Sequence, residues 1–288
     1  MARTDGSDET FEPGVGGRPP LVLIAPAMAI GSRYYGPLVA EFAARGWQAK
    51  ALARRGFETG RARASRRVDW SYGDEIDHIA REVADARAHD PDGPVLLLGH
   101  SLGGQLAAGH ELTRSPVDGL VTVGGALPHH RKYPLSGPHL LAMGAVIVPV
   151  LTAIFGYLPE PAFGAPGART MMREWARMVV TGRPPFPVEG RIRTPSLIIS
   201  LDRDTMAPAR SIDSFAARLF DASAVTRWHY RTDDVPAGAS NHHIGWVRTS
   251  APIVDRIVTW WAADRGSAGS ASARPRSSIA AAGHSDRN

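Results

Sequence analysis

The sequence contains no cysteine among its 288 residues. Disulfides, cysteine-ligated zinc, iron–sulfur clusters and thiol catalysis are therefore excluded, and any nucleophile has to be a hydroxyl, a carboxylate or an amine. Lysine is nearly absent too, since only Lys50 and Lys132 occur. The net charge of +5 therefore comes from arginines, which are scattered among acids and form no basic stripe with interleaved aromatics. We expect no nucleic-acid partner.

Long apolar runs are scarce. Residues 1–20 lack the apolar core of a signal peptide, so we expect a cytoplasmic location. One uncharged stretch, residues 140–158, meets the length of about 18 residues that a membrane-spanning helix needs. Pro149 interrupts it, and a single crossing here would put the flanking strands on opposite sides of a bilayer. We therefore expect a pair of apolar helices that cover a pocket, and no integral span.

Short apolar runs alternate with helical patterns along most of the chain. Runs typical of strands occur at 21–26, 47–53, 95–98, 120–125, 196–200 and 224–230. In the helical stretch between the second and third runs, Ile76, Ile79, Ala80 and Val83 recur at helical spacing and form one apolar stripe. Strands that alternate with helices predict an α/β fold, with a mostly parallel sheet covered on both faces.

The fourth and fifth runs are separated by about 65 residues, far more than an ordinary crossover connection. This length predicts an inserted helical cap over about 128–192. The rest of the domain is expected to span 20–265, after a flexible leader at 1–19 and before a disordered, low-complexity tail at 266–288. Four apolar residues of the cap recur at helical spacing and are expected to pack in its interior, or to offer apolar surface to an acyl group where they face the site: Met171, Met172, Trp175 and Met178.

A glycine-flanked serine follows the third apolar run. Gly99-His100-Ser101-Leu102-Gly103 fits G-x-S-x-G between a strand and a helix, which is the context of a nucleophile elbow. Gly99 and Gly103 would allow the strand and helix to meet at a tight turn. The hydroxyl would then be exposed, and the N–H of Leu102 would point to a developing oxyanion. The alternative is a serine that only caps the helix.

A serine nucleophile needs a histidine base and a carboxylate that orients it. Asp202 and Asp204 follow the fifth apolar run, and His242 and His243 follow the sixth. This order, serine then acid then histidine, is the one expected when each group follows a strand of this kind of sheet. The order alone does not decide between Asp202 and Asp204, or between His242 and His243. Adjacent histidines without a carboxylate cluster are weak support for a metal, so we expect neither metal nor cofactor.

The chain resembles the α/β-hydrolase superfamily. Within it, the chain is similar to bacterial α/β-hydrolases related to the S33 serine aminopeptidases and the monoacylglycerol-lipase-like enzymes. The matching motifs are PAMAIGSRYYGPLVAEFAARGW, GHSLGGQL, SLDRDTMAP and HIGWVR. The resemblance implies an α/β-hydrolase fold. The sequence departs from the superfamily pattern before residue 21, where the usual antiparallel pair of strands is shortened or absent.

The resemblance also implies which aspartate and which histidine belong to the triad. Relatives place the acid four residues before a proline, which implies Asp204, and begin H-x-G-x-x-R with the catalytic histidine, which implies His243. Their second oxyanion donor follows the first strand, which implies the N–H of Met28, with Ala27 as its rival.

These residues together predict a serine hydrolase that cleaves an ester or thioester through an acyl-enzyme on Ser101. The expected partner is a small, hydrophobic acyl substrate, and the sequence makes no prediction of oligomeric state. An acyltransferase or perhydrolase would use the same triad, and a non-catalytic binding protein could share the fold. Epoxide and haloalkane hydrolysis are disfavoured because their carboxylate nucleophile would replace Ser101.

Overall fold

The protein was analysed as a computed structural model that describes residues 18–160 and 165–272. Residues 1–17 of the expected leader and 273–288 of the expected tail lie outside the described residues. The strands are β1 Leu21–Ala25, β2 Ala49–Ala51, β3 Val95–His100, β4 Gly119–Val123, β5 Ser196–Leu201 and β6 Val225–Tyr230. The helices are α1 Gly36–Ala43, α2 Tyr72–His89, α3 Leu102–Thr113, α4 Gly137–Ala142, α5 Val148–Phe155, α6 Arg169–Thr181, α7 Ala209–Leu219 and α8 Ala251–Ser272.

All six strands are parallel and form one sheet in the order β2-β1-β3-β4-β5-β6. Each strand falls within or overlaps one of the six predicted runs, so the α/β fold class is confirmed. Residues of β3 alternate between two apolar clusters: Leu97 packs with α2 and α3, whereas Leu96 and Leu98 pack with α1 and α8. Burial on both faces is why these strands are continuously apolar. No antiparallel strand occurs among the described residues.

The strand order reverses direction between β1 and β3, because β2 lies on one side of β1 and β3 on the other. The connections that follow β1 and β3 therefore diverge and leave a crevice at the carboxyl ends of these strands, where open α/β sheets bind their ligands. Met28 and Ser101 lie in these two connections.

Local sequence signals explain where α2 begins and which face it buries. Ser71 accepts a hydrogen bond from the N–H of Asp74, and the Asp74 carboxylate accepts one from the N–H of Ser71, which forms a capping box. Ile76, Ile79 and Val83 from the predicted stripe are buried against the sheet. The capping box thus fixes the first residue of α2, and its apolar stripe fixes the face that packs on the sheet.

The apolar stretch that suggested two cap helices forms one continuous helix, Gly137–Phe155, in which α4 and α5 are joined by a π-helical turn at Met143–Ile147. The prediction of a break at Pro149 was wrong. Proline lacks an N–H and clashes with the preceding turn of an α-helix, and a wider π turn just before it accommodates that mismatch.

This cap helix has a mean hydropathy of 2.0 over its most apolar window, of which only 17% is buried. By length and composition it is the one helix of the described residues that could cross a membrane. Its inner face packs on α6, where a Cβ on Gly144 would lie 2.9 Å from the carbonyl oxygen of Ala176. Val146, Val150 and Ile154 are exposed on it.

The closing helix α8 continues to Ser272, beyond the boundary at 265 expected from composition.

Candidate active site

Ser101 lies on a sharp turn between β3 and α3. Its φ of 54° is one of two positive values among the described non-glycine residues, a strained conformation that the surrounding structure has to enforce. A Cβ on Gly99 would lie 2.5 Å from the carbonyl oxygen of Gly103, and one on Gly103 would lie 2.6 Å from the carbonyl carbon of Ala25. Both glycines are therefore required for the strand, turn and helix to approach so closely. The Ser101 side chain caps no backbone group.

The structure brings Ser101, His243 and Asp204 into one hydrogen-bonded chain. The hydroxyl of Ser101 lies 2.8 Å from Nε2 of His243, and Nδ1 of His243 lies 2.6 Å from Oδ2 of Asp204. The other carboxylate oxygen of Asp204 accepts hydrogen bonds from the N–H groups of Met206 and Ala207. These bonds hold the carboxylate in one orientation, and the imidazole in turn can accept the serine proton.

The rival candidates lie elsewhere. Asp202 is bonded to the backbone N–H and hydroxyl of Thr232 and lies 3.4 Å from Nε2 of His229. These partners, the Thr232 hydroxyl above all, lower the pKa of Asp202. His242 is exposed, and its backbone N–H bonds the hydroxyl of Ser240. Neither side chain reaches Ser101.

The backbone N–H groups of Met28 and Leu102 bear on the predicted oxyanion donors. Among the described residues, neither Met28 nor Leu102 uses its N–H in a hydrogen bond, and both residues line the cavity in front of Ser101. The N–H of Ala27 is already donated to the hydroxyl of Tyr35, at 2.8 Å. Of the two candidates from the sequence, Met28 and Ala27, only Met28 therefore has a backbone N–H that is not already donated among the described residues. Ala29, the next residue, has the second positive φ, 62°.

Known proteins share this fold. The family model of the S33 serine aminopeptidases matches residues 19–159. A monoglyceride lipase from Saccharomyces cerevisiae superposes with a TM-score of 0.60 at 13% identity, over 85% of this chain and 87% of that one. A monoacylglycerol lipase from Paleococcus ferrophilus gives a TM-score of 0.56 at 17% identity, over 85% and 96% of the two chains. The chain has the α/β-hydrolase fold.

A pyrethroid hydrolase from Sphingobium faniae JZ-2 is also similar, with a TM-score of 0.53 and 21% identity over 84% of this chain and 97% of that one. At these identities, the likeness to the three solved structures concerns the fold. No curated protein matches the sequence significantly.

Ser101 and His243 line a cavity of about 740 Å³ beneath the cap helix. Its walls are mostly apolar, and Leu140, Met143 and Ile244 are among them. No arginine, lysine, aspartate or glutamate of the described residues lines it. A second cavity, of about 650 Å³, lies at the amino ends of β1 and β3. None of the described residues that line it is a serine, threonine or cysteine.

Several residues that line the active-site cavity carried no signal in the sequence. Trp175, by contrast, was singled out by its helical spacing: it packs in the core as expected, together with Met171, Met172 and Met178, and it also lines the cavity. Tyr133 donates its hydroxyl proton to the carbonyl oxygen of Met206, and burial raises the pKa of Tyr133 to about 12. These residues come from the cap and from the loop after β5, whose spatial relation depends on the whole fold.

Proposed function

We propose that this protein is a serine hydrolase that cleaves the ester or thioester bond of a small, hydrophobic acyl compound. The observation that carries the proposal is the chain of hydrogen bonds from Ser101 through His243 to Asp204, open to an apolar cavity. A serine that acted only as a helix cap would accept a backbone N–H of α3 with its hydroxyl, and the hydroxyl of Ser101 does not.

In the proposed reaction the Oγ of Ser101 attacks the acyl carbonyl carbon while its proton passes to Nε2 of His243. Asp204 accepts the proton on Nδ1 in a hydrogen bond and stabilises the imidazolium that forms. The N–H groups of Leu102 and Met28 donate to the oxyanion. Collapse of the intermediate breaks the bond to the leaving alcohol or thiol, which takes the proton from His243.

Hydrolysis of the acyl-enzyme then repeats these steps with water. His243 takes a proton from the water molecule, the resulting hydroxide attacks the ester carbon, and Ser101 leaves with the proton returned by His243. The acid product is released and the enzyme regains its resting state. No step requires a cofactor.

The cavity favours an uncharged acyl group over the amino terminus of a peptide. An aminopeptidase has to bind an α-ammonium group, and a buried ammonium needs a carboxylate or several acceptors as partners. The described lining of this cavity holds no carboxylate, although the family whose model matches is named for aminopeptidases. Leu140, Met143 and Trp175 instead supply apolar surface.

Labelling by a fluorophosphonate tests the nucleophile. The wild-type protein should be labelled and should hydrolyse p-nitrophenyl esters, whereas S101A should do neither. Full activity of S101A would refute the mechanism.

A substrate panel tests the proposed class, with p-nitrophenyl esters from acetate to laurate beside aminoacyl p-nitroanilides. We expect ester cleavage to exceed amide cleavage at every acyl length. Faster cleavage of the anilides would favour an aminopeptidase.

A further inference from the structure

Buried hydrogen bonds connect the loop at residues 26–30, which carries the oxyanion donor, with the backbone of the catalytic histidine. The N–H of Ala27 donates to the hydroxyl of Tyr35 at 2.8 Å, and that hydroxyl lies 2.8 Å from Nδ1 of His100. Nε2 of His100 lies 2.7 Å from the carbonyl oxygen of His243. Tyr35 and His100 are fully buried, so water does not compete for these bonds.

The chemistry of the groups fixes the direction of each bond. The carbonyl oxygen of His243 accepts only, so Nε2 of His100 has to carry the proton. Nδ1 of His100 is then the acceptor in a neutral ring, and it accepts the hydroxyl proton of Tyr35. The same hydroxyl oxygen accepts the N–H of Ala27. Every donor in the chain thus has one acceptor.

The opposite tautomer of His100 fits less well. Trp246 places its indole nitrogen 3.3 Å from Nε2 of His100, a contact that would be a hydrogen bond only if Nε2 were unprotonated. That state would put two acceptors, Nε2 and the carbonyl oxygen of His243, 2.7 Å apart. The contact with the carbonyl oxygen of His243 is the shorter one, so we assign the proton to Nε2 of His100. The Trp246 ring packs edge-on against His100, with ring centroids 5.2 Å apart.

His100 stays neutral while the neighbouring His243 changes its charge. Burial, and secondly the nearby His243, lower the pKa of His100 to about 3. Burial raises the pKa of Tyr35 well above its ordinary value. The two rings therefore act as fixed dipoles at neutral pH, with one arrangement of protons.

We propose that Tyr35 and His100 are positioning residues that set the oxyanion donor and the general base relative to each other. The inference rests on the serine hydrolase proposed above. Tyr35 fixes the peptide that precedes the N–H of Met28, and His100, which adjoins Ser101, holds the backbone of His243. One hydrogen-bonded unit thus joins three segments of the site that are distant in sequence.

Replacement of the Tyr35 hydroxyl tests the unit. Y35F removes the acceptor of the Ala27 N–H and the donor to His100. Since loss of an oxyanion donor lowers kcat by about 100-fold or more, we expect a misplaced one to lower kcat by about tenfold or more. KM should change by less than about twofold, because ground-state binding is not affected. The matched control is Y230F, which removes a buried hydroxyl that has no hydrogen-bond partner among the described residues.

A transition-state analogue separates positioning from a general loss of folded protein. A trifluoromethyl ketone adds to the serine and forms an oxyanion, so its affinity for folded Y35F should fall by the same factor as kcat/KM. Wild-type values of kcat and of ketone affinity in Y35F would overturn the proposal. A loss that merely follows the unfolded fraction, with wild-type affinity per folded molecule, would also overturn it.

The tautomer of His100 can be read in the wild-type protein, which removes the dependence on the folding of a variant. Nitrogen-15 NMR of histidine-labelled protein should show Nε2 of His100 protonated and Nδ1 unprotonated. The opposite assignment would contradict the direction of both bonds that the His100 ring makes, to Tyr35 and to the carbonyl oxygen of His243. The S101A experiment stays independent: if S101A loses labelling and Y35F does not lose activity, only the positioning proposal fails.

Discussion

Oδ2 of Asp204 lies 2.6 Å from Nδ1 of His243, whereas Asp202, two residues earlier, bonds Thr232. The difference arises in the turn after β5, where Met206 and Ala207 donate their N–H groups to Oδ1 of Asp204. These donors occupy one carboxylate oxygen and direct the other to the imidazole.

Replacement of the two aspartates by asparagine should therefore have unequal effects. D204N should lower kcat by about four orders of magnitude, because an amide favours the wrong tautomer of the imidazole. D202N should keep kcat within about twofold, as expected for a half-exposed side chain outside the site. Steady-state ester hydrolysis measures both, and a larger loss in D202N would reassign the acid.

The adjacent histidines provide a similar test of register. H243A removes the base bonded to Ser101 and should abolish fluorophosphonate labelling. H242A alters an exposed side chain and should be labelled at the wild-type rate. The reverse pattern would show that the catalytic histidine is displaced by one residue.

A buried ion pair braces the loop after β1. Nη1 of Arg54 lies 3.0 Å from the carboxylate of Glu75, both side chains are only 3% exposed, and Nη2 of Arg54 donates to the carbonyl oxygen of Pro26. R54M leaves the Glu75 charge buried without this partner, so we expect the free energy of unfolding to fall by about 3 kcal/mol or more.

Arg55 supplies the matched control for that measurement. The Arg55 side chain is 40% exposed and its Nε lies 3.7 Å from the same carboxylate, so R55M should lower the free energy of unfolding by less than about 1 kcal/mol. Urea denaturation of both variants measures the difference. Equal losses would mean that the buried pair contributes no more than the exposed one.

Gly103, two residues after Ser101, is expected to tolerate no side chain. A Cβ on Gly103 would overlap the carbonyl group of Ala25, which is backbone of the central sheet and cannot move away cheaply. G103A should lower the free energy of unfolding by about 3 kcal/mol or more. A Cβ on Gly190 meets no atom within 4 Å, so G190A should stay within about 1 kcal/mol. A stable G103A would argue against this packing.

His100 should make the protein less stable in acid. An unfolded histidine has a pKa of about 6.5, and burial lowers that of His100 to about 3. Between these values only the unfolded chain binds the proton. The stability contribution is therefore complete above about pH 6.5 and is lost as the pH falls, at about 1.4 kcal/mol per pH unit.

Urea denaturation of wild type and H100N at pH 7 and pH 5 isolates this contribution, because the carboxylates with lowered pKa values titrate below that range. The wild-type protein should lose more stability than H100N between the two pH values. Equal losses would contradict the assignment of a buried, neutral His100.

Sequence patterns were sufficient for the sheet and for the elbow. Apolar runs predicted the inner strands β1, β3, β4 and β5 because a parallel sheet buries both faces of its inner strands, whereas the runs of the edge strands β2 and β6 are more polar. The glycines around Ser101 predicted a turn that larger residues would obstruct. The cap was less readable. Pro149 predicted a break in the cap helix, but a π turn before it keeps the helix continuous. The packing of this helix on α6 outweighs the tendency of proline to end a helix.

What the sequence determined by itself was the fold class, the serine on the tight turn and the loops in which an acid and a base had to be sought. Its choice of Asp204, His243 and Met28 over their neighbours rested on resemblance. Only the tertiary structure showed which side chains meet, because that depends on turns such as the one that directs Asp204 and on bonds between distant segments. The bond from Ala27 to Tyr35, which leaves Met28 as the available donor, has no counterpart in any local pattern.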